Sequence, residues 1–237
     1  MKYTISFKII NSEADIINCA LNNQGSIYTF LNPVSYLEAM RHKDMFMQFD
    51  GIFADGSMLV KAIRILYGKR ITRKSFDTTS LGADVFDYAA KEGKSIYIVS
   101  SEQNSVEKAV GHIKERFNDI QIIGYRNGYF KNEEEKDEEI RKIISLNPDY
   151  LIVGMGVIKQ EEFLLRVKEA GYQGIGFTCG GFISQIAQNK IDYYPAWVDR
   201  MNVRFLYRMY KEPHTRKRYL KAGILFPIVF VKEKFFG

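Results

Sequence analysis

The sequence predicts an α/β protein: a Rossmann-like, mainly parallel sheet flanked by helices, with a basic helical appendage at the C-terminus. Three observations carry this expectation. Short β-branched and aromatic runs alternate with helix-period segments through residues 1–195, the pattern of strands joined by crossover helices. Several runs stop at Asn-Pro, Asp-Gly or closely spaced glycines, the punctuation expected where a strand hands over to a helix. Residues 200–237 hold ten Lys/Arg against Glu212 and Glu233, a net +8 in a chain whose total is +6. The basic character therefore belongs to the tail, and residues 1–199 sum to −2.

Taken in order, residues 3–10 predict a first strand and 12–22 a helix with Ser12 as its N-cap. Gly25 precedes a strand over 27–31, which ends at Asn32-Pro33. Proline suits the first helical position, so 34–42 should be helical. Residues 51–54 form a short apolar strand stopped by Asp55-Gly56, and 57–67 an apolar helix closed by Gly68. A basic loop (Lys69, Arg70, Arg73, Lys74) leads to Phe76-Asp77-Thr78-Thr79, a capping sequence for a helix over 81–92. Strands over 95–100 and 120–124 enclose a helix over 105–117. Asn127-Gly128 then turns the chain into a helix opened by the acidic run 132–139, whose carboxylates suit the positive end of the helix dipole.

The stretch from Pro148 to Glu161 organises the rest. An apolar strand over 150–154 breaks at Gly154 and Gly156 and enters a helix over 160–169. In an open parallel sheet such a junction holds ligands, because glycines admit close backbone approach and a helix N-terminus suits phosphate. Lys159 adds a cation and Gln160 an amide. The plainer reading is a turn whose lysine is merely solvated. A last strand over 174–179 ends in Gly180-Gly181 before a helix through Gln188, giving seven strands. A boundary near Pro195 divides a catalytic body, 1–195, from an appendage, 196–237.

Composition narrows the class. Hydrophobic residues make up 46% and charged residues 26% of 237, so a full core is expected. The two cysteines, Cys19 and Cys179, and the absence of a signal peptide point to a cytoplasmic setting. No apolar run reaches the roughly 18 residues of a membrane span. His42, His112 and His214 are scattered without metal-ligand spacing, and no Asp-x-Asp pair occurs, so no metal and no cofactor are expected. Arg64, Arg73, Arg126 and Arg166 read as surface charges.

Asp55 is the leading candidate for chemistry: a carboxylate at a strand end can take a proton from a hydroxyl. The competing role is helix capping, an ambiguity that Asn32 shares. In the tail, Arg200, Arg204, Arg208 and Lys211 share one helix face among Met201, Phe205, Leu206, Met209 and Tyr210, followed by Arg216-Lys217-Arg218. Basic and apolar residues at this density suit an anionic membrane surface. The alternative is a non-enzymatic binder of anionic surfaces or nucleic acid, or a packed helix with a solvated basic face.

Jointly, Thr29-Phe30-Leu31-Asn32-Pro33, Ala54-Asp55-Gly56, Asn127-Gly128-Tyr129-Phe130 and Gly154-Met155-Gly156-Val157-Ile158-Lys159-Gln160-Glu161 resemble the WecG/TagA/CpsF family of bacterial glycosyltransferases. The tail segments Leu206-Tyr207-Arg208, Glu212-Pro213 and Arg218-Tyr219-Leu220 extend the resemblance. It implies an inverting, metal-independent enzyme that moves a sugar, an N-acetylhexosamine or relative, from a UDP donor to an undecaprenyl-diphosphate-linked acceptor in surface-polysaccharide synthesis. By motif, Asp55 falls on the catalytic base. Thr29, Asn32, Asn127, Gly128, Gly154, Gly156, Lys159, Gln160, Glu161 and Gly180 fall on the donor pocket. Arg208, Arg216 and Arg218 fall on appendage contacts to the diphosphate and the membrane. The implied location is the inner face of the cell membrane, with no nucleic acid partner and with a homo-oligomer left open. Two departures, Tyr193-Tyr194-Pro195 and Asn202-Val203-Arg204-Phe205, bear on donor and acceptor identity.

Overall fold

The computed structural model describes residues 4–10, 20–189, 198, 201 and 203–236. Six strands form one sheet: β1 (Ile27–Leu31), β2 (Gly51–Ala54), β3 (Ser95–Ser100), β4 (Gln121–Arg126), β5 (Tyr150–Gly154) and β6 (Ile175–Thr178). Their order is β2-β1-β6-β5-β3-β4, and every pairing is parallel. Parallel neighbours require crossovers, which the helices provide. These are α1 (Pro33–Arg41), α2 (Lys43–Phe46), α3 (Ser57–Tyr67), α4 (Leu81–Lys91), α5 (Gln103–Arg116), α6 (Glu133–Leu146), α7 (Lys159–Glu169) and α8 (Phe182–Asn189). Two further helices follow, α9 (Arg204–Lys211) and α10 (Arg216–Phe236).

The strands read as nearly continuous apolar runs because helices cover both faces of the sheet. On one face Val85, Phe86, Val106, Ile113 and Ile183 pack against Ile96, Ile98, Ile152 and Phe177. On the other, Ile140, Ile143, Phe163 and Leu164 meet Tyr97, Val99, Leu151 and Val153. A third cluster joins Leu31, Tyr36, Ile52, Leu59 and Ile63 to Phe226 and Phe230 of α10. The C-terminal helix is thereby part of the folded core.

The expected strand over residues 3–10 is not formed. Residues Ile5–Phe7 make a 3-10 turn, and only Ile9 bridges Ile52 of β2. The cause lies at the far end of the chain. Glu233 is buried and accepts hydrogen bonds from the Ile5 backbone N–H (2.9 Å), the Ser6 hydroxyl (3.1 Å) and the Tyr36 hydroxyl. The segment is bound to α10 instead of completing a ladder, so the sheet has six strands rather than seven. The expected helix over 12–22 falls mostly outside the described residues, as do the boundary at Pro195 and Arg200.

α10 buries Ala222, Phe226 and Phe230 while Leu220, Ile224, Ile228, Val231 and Phe235 remain exposed. The exposed set recurs at i, i+4, i+8, i+11 and i+15, one continuous stripe along the helix. α9 is turned in a similar sense. Arg204 and Arg208 are only 14% and 23% exposed, whereas Phe205, Leu206 and Tyr210 are 45%, 52% and 74% exposed. A helix in contact with water alone presents the opposite pattern. No helix among the described residues is long and apolar enough to cross a membrane.

Candidate active site

Because the strands are parallel, their carboxyl ends open on one edge, where ligands bind in open α/β sheets. A cavity of about 1000 Å³ lies there. Each strand delivers a residue to it: Asn32 after β1, Asp55 after β2, Ser101 after β3, Gly128 beyond β4, Gly156 after β5 and Gly180 after β6. Arg204 and Arg208 of α9 and Arg218 and Leu220 of α10 line it as well.

Asp55 and Asn32 part ways. The N-cap of α3 is Gly56, and no side chain caps that helix. The Asp55 carboxylate is thus not spent on capping. It is one-third exposed, and Arg73 Nη2 stands 3.5 Å from Oδ1. Withdrawal from solvent raises its pKa above the usual carboxylate value. Arg73, Arg204 and Arg208 oppose that shift, and nearby Asp77 adds to it. A carboxylate whose proton affinity is raised by burial is a better base than a solvated one. Asn32, in contrast, caps α1: its Oδ1 accepts from Val34 N (2.9 Å) and Ser35 N (3.1 Å), and Ser35 Oγ accepts from Asn32 N (2.9 Å). Only its amide NH₂ is left to face a ligand.

The glycine stretch after β5 has specific steric causes. A Cβ on Gly154 would stand 2.3 Å from Ser100 Oγ and 2.7 Å from Cys179 Sγ, because β3, β5 and β6 converge there. Gly156 lies at φ +83°, and a Cβ on Gly128 would meet Met155 at 2.8 Å. Ile158, at φ 77° and ψ −58°, occupies the strained γ-turn region. Glu161 holds it there, its Oε2 accepting the Ile158 N–H at 2.6 Å. Its Oε1 accepts from the Thr29 hydroxyl and from Gln160 Nε2, both at 2.8 Å. Gln160 Oε1 in turn accepts the Gly180 N–H at 3.1 Å. Burial raises the Glu161 pKa, and these donors pull it back.

Of the expected donor-pocket residues, Gly128, Gly154, Gly156, Lys159, Gln160 and Gly180 line the cavity with Asn32. Thr29 and Glu161 are fully buried beneath it. Asn127 is not among the lining residues. Its Nδ2 donates to Gln103 Oε1 (3.3 Å) and its Oδ1 accepts the Tyr129 N–H (2.9 Å), which shapes the turn carrying Gly128 and Tyr129. Arg208 and Arg218 reach the cavity; Arg216 does not, and its Nε donates to the Met209 carbonyl at 2.9 Å. Cys179 is buried, its thiol pushed up to about 12, which leaves it inert. Among the described residues, no group of three His, Cys, Asp or Glu gathers that could hold a metal ion.

Arg73 corrects the sequence reading of a surface charge. It is 23% exposed, lines the cavity and donates to Ser75 Oγ at 3.0 Å. Asp77 was expected only to cap a helix. It instead accepts from Ser75 Oγ (2.6 Å) and is paired with Arg204. Neither has a periodic or motif signal. Their loop is brought to Asp55 by one backbone bond, Lys74 N to Ala54 O (3.0 Å). Arg126 is no surface charge either: it is 14% exposed, pairs with Glu135 and Glu139 and lies over the Phe130 ring, while Arg166 pairs with Glu133 and Asp137 nearer the surface.

An open parallel sheet whose strand ends gather a carboxylate, close-approach glycines and arginines at one cavity is a Rossmann-like fold with a ligand site in the usual place. A family model described as "Glycosyl transferase WecG/TagA/CpsF family" matches residues 6–237. The chain belongs to that family and is a glycosyltransferase. It is 34% identical over 219 residues, 92% of this chain and 91% of the other, to a Shigella boydii protein. That protein is named UDP-Gal:alpha-D-GlcNAc-diphosphoundecaprenol beta-1,4-galactosyltransferase. It is 24% identical over 214 residues, 89% and 81% of the two chains, to a Bacillus subtilis (strain 168) protein. The name there is N-acetylglucosaminyldiphosphoundecaprenol N-acetyl-beta-D-mannosaminyltransferase. A Staphylococcus aureus (strain NCTC 8325 / PS 47) protein of the same name is 24% identical over 200 residues, 84% of this chain and 70% of the other.

Proposed function

We propose that the enzyme transfers a hexose from a UDP-sugar to an N-acetylglucosamine carried on undecaprenyl diphosphate. The proposed transfer proceeds with inversion, without a metal ion, and at the inner membrane surface. The observation that carries this reading is the placement of Asp55: a carboxylate not used as a helix cap, set in a cavity lined by appendage arginines. In the proposed step Asp55 takes the proton of the acceptor hydroxyl as its oxygen bonds to the anomeric carbon. The bond from that carbon to the UDP oxygen breaks on the opposite face. Arg208 and Arg218 meet the charge that develops on the leaving diphosphate with fixed cations. Glu161, Gln160 and Gly180 would hold the glycine turn ready for the donor.

All three relatives' names specify a β product, and inversion of an α-linked nucleotide sugar gives one. The relative at 34% identity is named for galactose and those at 24% for N-acetylmannosamine. The higher identity supports UDP-galactose as the first donor to test, with UDP-N-acetylhexosamines second. Attachment to an anionic bilayer is supported by the outward apolar stripe of α10 and the outward Phe205, Leu206 and Tyr210. The inward turn of Arg204 and Arg208 weighs against a basic nucleic-acid-binding face.

The deciding experiment offers the purified protein a panel of UDP-sugars with a GlcNAc-diphosphate-lipid acceptor. UDP release coupled to formation of a disaccharide-lipid is expected with one donor. Failure of every UDP-sugar to react with that acceptor would remove the proposal.

A further inference from the structure

α9 holds none of its residues fully buried, and its larger apolar side chains face outward. Polar contacts therefore help to seat it on the body, and Arg204 supplies three of them. The guanidinium donates to the Asp77 carboxylate, to the Thr79 hydroxyl and, at 3.4 Å, to Ser75 Oγ. Both charged side chains are 14% exposed.

The receiving side is rigid. Asp77 accepts from Ser75 Oγ (2.6 Å), Thr79 N (2.9 Å) and Thr79 Oγ1 (2.8 Å). A Cβ on Gly82 would stand 2.8 Å from the Asp77 carbonyl oxygen, so α4 packs directly on this turn. The Lys74 N–H bond to Ala54 O ties the same loop to the last residue of β2, immediately before Asp55. On the helix side, Arg208 follows Arg204 by four residues and so shares its face. It reaches the cavity beside Gly181, where its Nη2 lies 3.2 Å from the position of an added Cβ.

We propose that Arg204 and Asp77 form a clasp that positions α9, and with it Arg208, over Asp55. These two are positioning residues; they act on the reaction through the placement of Arg208. Asp77 has a second consequence in the same network. Arg73 Nη2 lies 3.5 Å from Asp55 and 4.0 Å from Asp77, so the clasp carboxylate shares the cation that faces the catalytic carboxylate.

The test uses the full chain and two independent readouts. The first is hydrogen exchange of the α9 amides, which needs no substrate. Arg204→Ala and Asp77→Asn should each speed it by about tenfold or more while the melting midpoint stays within a few degrees. The second readout rests on the proposed function: kcat/KM for the UDP-sugar should fall at least about tenfold. Arg204→Lys should recover only part of it, because a point charge replaces a planar fork. The exchanged pair Arg204→Asp with Asp77→Arg should exceed either single variant. Vesicle binding should be unchanged, since Arg204 faces inward.

Wild-type α9 protection together with wild-type kcat/KM in Arg204→Ala overturns the clasp. Lost turnover with unchanged α9 exchange also overturns it, making Arg204 a direct ligand contact instead. If the wild-type protein transfers no sugar, the proposed function fails and the exchange measurement alone decides the clasp. If Asp77→Asn does not fold, Arg204→Gln carries the same test from the helix side.

Discussion

The Arg73 guanidinium stands 3.5 Å from the Asp55 carboxylate, though 18 residues separate them in the chain. That proximity sets the direction of the pH dependence. Burial raises the Asp55 pKa, and Arg73 is the foremost group lowering it. Base catalysis needs the ionised form, so activity should rise with pH through the Asp55 pKa. Removing Arg73 takes away a lowering influence, so Arg73→Ala should move the acid limb of the kcat/KM profile to higher pH. A limb that stays in place, or moves to lower pH, would show that Arg73 does not tune Asp55. Asp55→Asn should lower kcat by ~10²–10⁴ with folding intact. Near wild-type turnover in a folded Asp55→Asn protein would remove the base assignment.

If Arg208 and Arg218 neutralise the leaving diphosphate, as proposed, turnover is expected to survive excess EDTA. Loss on chelation, restored by Mg²⁺ or Mn²⁺, would demand a cation site that the arginine reading does not contain.

Gly154→Ala is expected to damage the site by overpacking. The added carbon would stand 2.3 Å from Ser100 Oγ and 2.7 Å from the Gly180 carbonyl oxygen. Overpacking of this kind costs about 1–3 kcal/mol. A lower urea midpoint together with weakened UDP binding is the expected pair of results. An unchanged midpoint would show that the strand ends can spread at no cost.

The apolar stripe should be separable from the core of the same helix. Ile224→Ser with Ile228→Ser should reduce binding to anionic vesicles while leaving thermal stability nearly unchanged, because both side chains are exposed. Phe230→Ala should do the reverse. It deletes a buried ring packed on Tyr36 and Tyr67, at a cost of about 3–5 kcal/mol. Equal vesicle binding in the stripe variant would show that attachment lies elsewhere. Truncation at residue 224 confounds the two effects, since it removes Phe226 and Phe230 along with all of the stripe but Leu220.

Local rules made much of the fold readable. Pro33 and Gly68 marked helix ends that the structure keeps, and six of the seven expected short runs became strands at nearly the expected bounds. Asp55 was legible because it directly follows such a run. Residues 3–10 have a similar pattern but lose their ladder to Glu233, a partner more than 220 residues away. No window of local sequence contains that competition. Arg73 escaped for the same reason: a cation in an aperiodic loop looks solvated until the loop is laid along β2. In α10 the density of apolar residues was plain. Which of them face the body was not, because both faces are apolar and the partners that choose between them, Leu31, Tyr36, Leu59 and Ile63 among them, lie far away in the chain.

Leu220 and Ile224 belong at once to the exposed stripe of α10 and to the lining of the cavity. Under the proposed function, landing on the bilayer and admitting the lipid-borne acceptor are then one geometric event. The enzyme would sample acceptor in two dimensions, so its rate should follow the mole fraction of acceptor within the vesicle surface. Adding inert phospholipid at constant total acceptor should slow turnover by dilution, whereas adding buffer at constant mole fraction should scarcely matter once the protein is bound.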